Sequence, residues 1–109
     1  MKRGDIVIVA ASGDYSKPRP AVVVQSDGMP ANHPSVVVCQ MTSLLSEASD
    51  FRITLEPSAG NGLRLRCQIM VDKPTTVKAE RVSRSIGRLT TEELSRLDRA
   101  LAAVLGFAD

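Results

Sequence analysis

Residues 17–25, Lys-Pro-Arg-Pro-Ala-Val-Val-Val-Gln, place an arginine between two prolines, directly before an apolar run. Each proline fixes its own φ at about −65° and pushes the preceding residue toward extended backbone, so Arg19 begins a strand with little conformational freedom. A guanidinium held in this way offers a planar, permanently charged fork of donors that suits a phosphate. Equally, Pro18 and Pro20 would protect an exposed sheet edge, with Arg19 as a solvated charge. The motif predicts a strand at Arg19–Gln25 and leaves these two roles of the arginine open.

The rest of the first 71 residues carries the pattern of a mainly β fold. Asp5–Ala11 is dense in β-branched residues and, like Arg19–Gln25, is apolar throughout, which predicts two buried central strands. Ser35–Met41 is a third strand, and Phe51–Leu55 alternates apolar and polar residues as a strand with one wet face does. Leu63–Val71 is a fifth strand, with one face formed by Leu63, Leu65, Cys67 and Ile69. We expect a small, mostly antiparallel barrel.

Two short motifs complete the secondary structure. The pair Asn61-Gly62 suits a tight reversal before the fifth strand. Thr90 followed by Glu93 is a capping box, and Gly106 stands where a helix C-cap glycine belongs. Between them lies an apolar stripe at helical spacing, formed by Leu94, Leu97, Leu101, Val104 and Leu105. The sequence therefore predicts one amphipathic C-terminal helix packed on the sheet.

The amino-acid composition indicates the class of protein but not its activity. A chain of 109 residues with 43% hydrophobic and 24% charged residues is expected to form a single domain, residues 1–109. The formal net charge of +2 is too small to indicate nucleic-acid binding by itself. No stretch reaches the ~18 apolar residues of a membrane span, and the chain begins with a strand pattern rather than a signal peptide. We expect a soluble, cytoplasmic protein that does not bind a membrane.

The side chains that usually bind metals or carry out redox chemistry are few. Cys39 and Cys67 are the only cysteines, each lies in an apolar segment, and they do not form a C-x-x-C pair. Buried free thiols are therefore expected. His33 is the sole histidine and lies in a loop, so neither a Cys/His metal site nor a histidine pair can be assembled. The sequence predicts no metal and no cofactor.

The order of motifs resembles the MazF/PemK family of toxin endoribonucleases. The matching segments span nearly the whole chain: Lys2-Arg3-Gly4-Asp5-Ile6-Val7, Arg19-Pro20-Ala21-Val22-Val23-Val24-Gln25-Ser26-Asp27, Gln40-Met41-Thr42-Ser43, Gly62-Leu63, Gly87-Arg88-Leu89-Thr90 and Ala103-Val104-Leu105-Gly106. The resemblance implies an SH3-like or CcdB-like barrel, usually a homodimer, neutralised by a cognate MazE-like antitoxin. It further implies metal-independent, sequence-selective cleavage of single-stranded RNA, with Arg19 and Thr42 as catalytic residues.

The implied reaction fits these two side chains. In metal-free RNA cleavage the 2′-hydroxyl attacks the adjacent phosphorus, so the protein must stabilise charge on the phosphate oxygens and assist proton transfer. Arg19 suits the first task, and the Thr42 hydroxyl can donate to a phosphate oxygen or position the 2′-hydroxyl. Thr42 would otherwise cap the turn that follows its strand. Lys17 and Ser43, beside them in the sequence, are expected to contact substrate.

The chain departs from the family pattern at two places. Some members carry a histidine before the proline-flanked arginine, where this chain has Asp14-Tyr15-Ser16. Another branch has Arg-x-Asp followed by Gln-Pro-Arg at the end of the fifth strand, where this chain keeps Asp72 and Pro74 without the arginines. Asp72 is a candidate for substrate contact or general base, or only a turn residue, and Lys73 replaces part of the missing charge. Tyr15 is the candidate for base stacking, or else folds back on the barrel.

The alternative function is a CcdB-like toxin that binds DNA gyrase without being an enzyme. It would share this fold, but the gyrase-binding activity resides in a Trp-Gly-Ile tail. This chain ends Gly106-Phe107-Ala108-Asp109 and contains no tryptophan. The ribonuclease is therefore the leading hypothesis.

Overall fold

The computed structural model describes residues 1–10, 17–47 and 50–108. They form six strands, one short 3-10 helix over Ala79–Arg81 and one α-helix. The strands are β1 (Asp5–Val9), β2 (Arg19–Val23), β3 (Ser35–Thr42), β4 (Arg52–Leu55), β5 (Cys67–Lys78) and β6 (Val82–Arg88), and the helix is α1 (Thr91–Leu105).

All six strands belong to one antiparallel sheet in the order β4-β5-β3-β2-β1-β6. The mainly β fold with a C-terminal helix is thus confirmed, although within the described residues the sheet stays open between its edge strands β4 and β6. The two strands predicted to be central, β1 and β2, lie inside the sheet. Nearly every apolar side chain in them is buried.

The first four strands form close to the predicted ranges, but the fifth does not. β5 begins only at Cys67 and continues to Lys78, so the predicted start at Leu63 was wrong. Of the four residues predicted to share one face, Leu63, Cys67 and Ile69 are buried, whereas Leu65 is 63% exposed. The predicted end of the first strand at Ala11 lies outside the described residues.

β6 was not predicted at all. Its residues Val82–Arg88 pair with β1 and are mostly exposed, as befits an edge strand. An edge strand with little buried apolar surface leaves a weak periodicity in the sequence. Arg84 and Arg88 belong to this strand, and Arg88 is part of the Gly87-Arg88-Leu89-Thr90 segment that carries the family resemblance.

β5 pairs with β3 in two stretches, which are separated by an irregularity in β5. Ile69 pairs with Met41 and Pro74 pairs with Cys39, so residues 70–73 stand opposite the single residue Gln40 of β3. Such an insertion breaks the ladder locally and bends the strand, which accommodates a proline without a backbone N–H. Asp72 therefore lies inside a strand at this irregularity, rather than at a strand end.

Apolar side chains are buried on both faces of the sheet. One cluster, which includes Cys39, Met41 and Ile69, packs beneath α1 through Leu97 and Leu101. The other cluster lies on the opposite face and consists of Val7, Val9, Ala21, Val23, Val36 and Val38. We call these the helix face and the valine face. Because residues alternate between faces along a strand, the continuation of the valine-face series places Gln40 and Thr42 on that face too.

The helix begins and ends at the predicted caps. The Thr90 hydroxyl accepts a hydrogen bond from the Glu93 N–H at 3.1 Å, and the Glu93 carboxylate accepts one from the Thr90 N–H at 2.8 Å. Gly106 ends the helix with φ 82°. Full burial of Leu97 and Leu101 contributes about 1.5–3 kcal/mol each, so this face attaches α1 to the sheet.

The Asn61-Gly62 pair forms a turn that packs against β6. The Asn61 side chain is 3% exposed and bonds to the backbone of Glu56, Ser58 and Leu63. Gly62 has φ 68°, a left-handed conformation that glycine adopts without strain. The turn protects the end of the edge strand, because the Gly60 carbonyl accepts from the Arg88 N–H at 2.9 Å.

Candidate active site

A row of polar side chains crosses four neighbouring strands on the valine face. Thr42 of β3 lies opposite Gln68 of β5, and Gln68 lies opposite Thr54 of β4. On the other side, the pairing of β2 with β3 ends with Ala21 opposite Gln40, and Arg19 and Thr42 each lie two residues beyond that pair on their own strand. Opposed residues of an antiparallel pair share a face, with Cβ atoms about 4.5–5.5 Å apart. We call Arg19, Thr42, Gln68 and Thr54 the polar row.

Arg19 reaches this position through the register of two strand pairs. It is opposite Val9 of β1, whose side chain belongs to the valine-face cluster, so the arginine lies on that same face. Arg19 is exposed, and Pro20 beside it is only partly so. An exposed, permanently charged guanidinium at the end of a buried strand can bind an anion without first losing a buried ion-pair partner.

The Thr42 hydroxyl is oriented by the turn that follows it. Thr42 is the last residue of β3 and is half-buried, and its Oγ1 accepts a hydrogen bond from the Leu44 N–H at 3.1 Å. Since a hydroxyl has one proton to donate, this acceptance leaves the Thr42 proton free for another acceptor. The turn-capping role anticipated for Thr42 is present, and it is compatible with donation to a phosphate.

Asp72 is engaged by two cations. Its carboxylate lies 2.6 Å from Lys73 Nζ and 3.7 Å from Arg52 Nε. The hydrogen bond from Lys73, together with the charges of Lys73 and Arg52, lowers the pKa of Asp72 below its ordinary value. A carboxylate with a lowered pKa is a weak proton acceptor at neutral pH. This arrangement favours an electrostatic role for Asp72 over that of general base.

The cysteines are protected from reaction. Burial, reinforced by the charge of Asp72, raises the pKa of Cys39 to about 11, and burial also raises the pKa of Cys67. Both are free and buried, as predicted. The thiolate is the nucleophilic form, so neither side chain is suited to covalent catalysis at neutral pH. Among residues 1–10, 17–47 and 50–108, no three His, Cys, Asp or Glu side chains are grouped to hold a metal ion.

The structure brings some of the predicted site residues together. Arg19 and Thr42 are both on the valine face, each two residues beyond the Ala21–Gln40 pair that ends the pairing of β2 with β3. Ser43 is exposed in the turn after Thr42, and Lys17 is exposed two residues before Arg19. Lys73 is paired with Asp72 at the irregularity of β5, which faces Gln40 across the β3–β5 pair. Tyr15 lies outside the described residues.

Sequence reasoning missed Gln68, Thr54 and Arg52. Gln68 is one of two buried polar residues among those described, and it is bonded to both the segment after Thr42 and to Thr54. The available signal was the alternation in the fifth strand, which puts Gln68 on the face opposite Cys67 and Ile69. A polar residue at such a position usually faces solvent, so the alternation alone did not indicate that Gln68 belongs to the site.

A basic cleft adjoins the β4 end of the polar row. Its volume is about 820 Å³, and it lies between β4, the segment before β4 and the solvent side of α1. Its lining includes Thr54 and Gln68, two acidic residues, Glu47 and Asp50, and four arginines, Arg52, Arg66, Arg96 and Arg99. A groove with an excess of cations favours a polyanion.

No helix in the described part of the chain is both long enough and apolar enough to cross a membrane.

Comparison with known proteins identifies close relatives. The family described as "PemK-like, MazF-like toxin of type II toxin-antitoxin system" matches residues 2–105. The chain is similar to a probable endoribonuclease MazF of Mycolicibacterium smegmatis, with 40% identity over 109 residues and 99% of both chains covered. It is 31% identical to endoribonuclease MazF9 of Mycobacterium tuberculosis over 110 residues, covering 93% of this chain and 92% of the relative.

The fold is also that of solved structures. An endoribonuclease in complex with its cognate antitoxin, from a mycobacterial species, superposes with a TM-score of 0.82 at 18% identity, covering 100% of this chain and 98% of the other.

Proposed function

Because this chain belongs to the family of PemK-like, MazF-like toxins of type II toxin–antitoxin systems, we propose that it cleaves single-stranded RNA at the polar row without a metal ion. It is an endoribonuclease, as the two relatives matched over nearly their whole lengths are named. A gyrase-binding toxin of the CcdB type is not favoured, because family and relatives are ribonucleases or MazF-like toxins.

The observation that carries the site is the register of β2 against β3. With Ala21 opposite Gln40, the same register continued by two residues would set Arg19 opposite Thr42 on the valine face, which supports their assignment as a pair. One side chain supplies fixed positive charge and the other a hydroxyl proton, within reach of a single phosphate. Both begin from backbone positions set by paired strands, so little ordering is required when substrate binds.

The reaction follows from this pair. The ribose 2′-oxygen attacks the adjacent phosphorus while the bond to the 5′-oxygen of the next nucleotide breaks, giving a 2′,3′-cyclic phosphate and a 5′-hydroxyl. Negative charge grows on the non-bridging oxygens, where the Arg19 fork stabilises it, and the Thr42 hydroxyl donates to one of those oxygens. The 2′-hydroxyl gives up its proton to solvent and the departing 5′-oxygen takes one up from solvent, so the reaction has no net change in protons.

Flanking residues are proposed to hold the substrate. Lys17, Ser43 and Lys73 stand beside the catalytic pair in sequence or across β3, and Tyr15 is the proposed stacking residue. Asp72 is proposed to position Lys73 and Arg52 through its two ion pairs. The basic cleft extends the row toward α1 and suits the phosphates of a single strand.

The proposed partners are an antitoxin and a second copy of the chain. The mycobacterial structure described above holds an endoribonuclease with its cognate antitoxin. We propose that a MazE-like antitoxin with an acidic segment covers the polar row of this chain, since such a segment complements Arg19 and the cleft arginines. A homodimer acting in the cytoplasm is proposed with it.

The proposed function is tested by RNA cleavage in excess EDTA. We expect purified protein to cut a long unstructured RNA at a limited set of sites, leaving 2′,3′-cyclic phosphate ends that mass spectrometry identifies. Rates should match those in MgCl₂ after correction for ionic strength, because phosphate contacts weaken with added salt. Products with 3′-hydroxyl ends, or activity lost in EDTA and restored by a metal, would refute the mechanism.

Removal of the Thr42 hydroxyl should slow the reaction without preventing RNA binding. Thr42→Val keeps the branched shape at the end of β3 and removes the donor to the phosphate. Loss of one such donor costs about 10²–10³-fold in kcat. Single-turnover cleavage of a fluorescent oligonucleotide measures the rate, and its concentration dependence measures binding. A matched Thr75→Val variant, in the distal half of β5, should cleave at the wild-type rate.

A further inference from the structure

Gln68 is a buried amide at the centre of the polar row. It is 5% exposed and lies opposite both Thr42 and Thr54. Its Oε1 accepts hydrogen bonds from the Ser46 N–H at 3.0 Å and the Ser46 hydroxyl at 3.4 Å. Its Nε2 donates to the Ser46 carbonyl at 3.0 Å and to Thr54 Oγ1 at 3.2 Å. A side-chain amide has two donors and two acceptor sites, so Gln68 is fully satisfied, and three of its four bonds go to Ser46.

Ser46 is the far end of the exposed segment that follows the catalytic threonine. Residues 43–46 lie after β3 ends at Thr42 and before β4 begins at Arg52. The near end of this segment is held by the bond from the Leu44 N–H to Thr42 Oγ1. The far end is held by Gln68, which attaches it to β5 and, through Thr54, to β4.

The two attachments act on the same hydroxyl. If Ser46 moves, residues 43–45 lose one fixed end, and the Leu44 N–H no longer stays against Thr42 Oγ1. Without that bond to its oxygen, the Thr42 hydroxyl has more orientations open to it when a phosphate binds. Buried, fully bonded amides are suited to such a task because any displacement leaves polar groups unsatisfied.

We infer that Gln68 is a positioning residue for the ribonuclease reaction, which fixes Ser46 and thereby orients the Thr42 hydroxyl toward the scissile phosphate. This inference rests on the proposed function, because it takes Thr42 as the donor. The polar atoms of Gln68 are already bonded to Ser46 and Thr54, so its effect passes through the segment 43–46.

The kinetic test uses Gln68→Met, which keeps the length of the side chain and removes all four hydrogen bonds. We expect kcat to fall about 30-fold with KM changed less than threefold, the scale of a misplaced catalytic group. In a Thr42→Val background the same substitution should cost less than twofold more. If Gln68 had a purely structural role, Gln68→Met would lower kcat by the same factor in the wild-type and Thr42→Val backgrounds. Equal losses of kcat would therefore overturn the inference.

Asn61 provides the matched control. It is the other buried polar side chain among the described residues, it makes a comparable set of backbone hydrogen bonds, and it lies in the turn against β6. Asn61→Leu should lower the melting temperature as Gln68→Met does. Assayed well below both melting temperatures, it should retain kcat within twofold of wild type.

An exchange measurement separates this inference from the proposed function. In Gln68→Met, amide hydrogen exchange at Leu44 and Ser46 should accelerate at least tenfold, while amides within α1 keep their wild-type rates. Leu44→Pro, at a residue that is 82% exposed, removes the donor to Thr42 Oγ1 and also restricts the backbone of residues 43 and 44. It should reproduce the kcat loss if Gln68→Met folds poorly. Unchanged exchange at Leu44 and Ser46 would overturn the inference. Full activity of Thr42→Val with accelerated exchange would instead overturn the catalytic assignment, and with it the positioning role.

Discussion

Arg19→Ala is expected to reduce RNA cleavage by about 10³-fold or more, because it removes the fixed positive charge proposed to stabilise the phosphate oxygens. The transition state carries more negative charge on the non-bridging oxygens than the bound substrate does, so the loss should appear mainly in kcat. Arg19→Lys keeps the charge but loses the planar fork, and should recover only part of the rate. Single-turnover cleavage of a fluorescent oligonucleotide in EDTA measures all three proteins.

The matched control is Arg84→Ala, which removes the same charge from another exposed strand residue. Arg84 lies opposite Ile8 of β1, whose neighbours Val7 and Val9 belong to the valine face, so Arg84 projects from the other face of the sheet. It should retain the wild-type rate at moderate salt. Equal losses in the two variants would mean that net charge, rather than the geometry of the polar row, governs the reaction. Full activity of Arg19→Ala would remove Arg19 from the mechanism.

The sequence was most informative where local pattern and burial agree. β1 and β2 are continuous apolar runs, and both are central strands with side chains buried on two faces. The caps at Thr90 and Gly106 depend on residue chemistry within one turn, and both formed as predicted. β6 was not predicted because an exposed edge strand needs no apolar face, so its sequence shows no alternation of apolar and polar residues. The extension of β5 beyond Val71 was not predicted because a proline such as Pro74 usually interrupts a strand. Here the strand continues because its pairing with β3 is irregular at that point.

The candidate site could be predicted only in part, for a geometric reason. Arg19 and Thr42 were singled out by resemblance, but their adjacency depends on the β2–β3 register, and a slip of one residue would put them on opposite faces. Gln68 was missed because a polar residue in an alternating strand usually faces water. Gln68 is buried because the segment after Thr42 covers it through Ser46. The sequence around Gln68 does not indicate this contact, since Ser46 is 22 residues away.

The second large effect is expected at Gly62, where an alanine should destabilise the fold by about 4 kcal/mol or more. A Cβ on Gly62 would lie 2.0 Å from the Ile86 carbonyl oxygen and 2.9 Å from its carbon. These are backbone atoms of β6, so a rotamer change cannot relieve the clash. The turn would have to leave β6, breaking the bond from the Arg88 N–H to the Gly60 carbonyl. Urea and thermal unfolding followed by circular dichroism measure the loss.

Gly106→Ala isolates the steric part of this effect from the backbone part. Gly106 has a similar positive φ, 82° against 68°, but a Cβ there meets nothing within 4 Å. Its substitution should therefore cost only the left-handed penalty, about 1–2 kcal/mol. The difference between the two variants is the cost of separating the Asn61-Gly62 turn from the edge strand. The free energies of unfolding of Gly62→Ala and Gly106→Ala could instead agree within about 1 kcal/mol. The turn would then move away from β6 at little cost, and its contact with β6 would contribute little to the stability of the sheet edge.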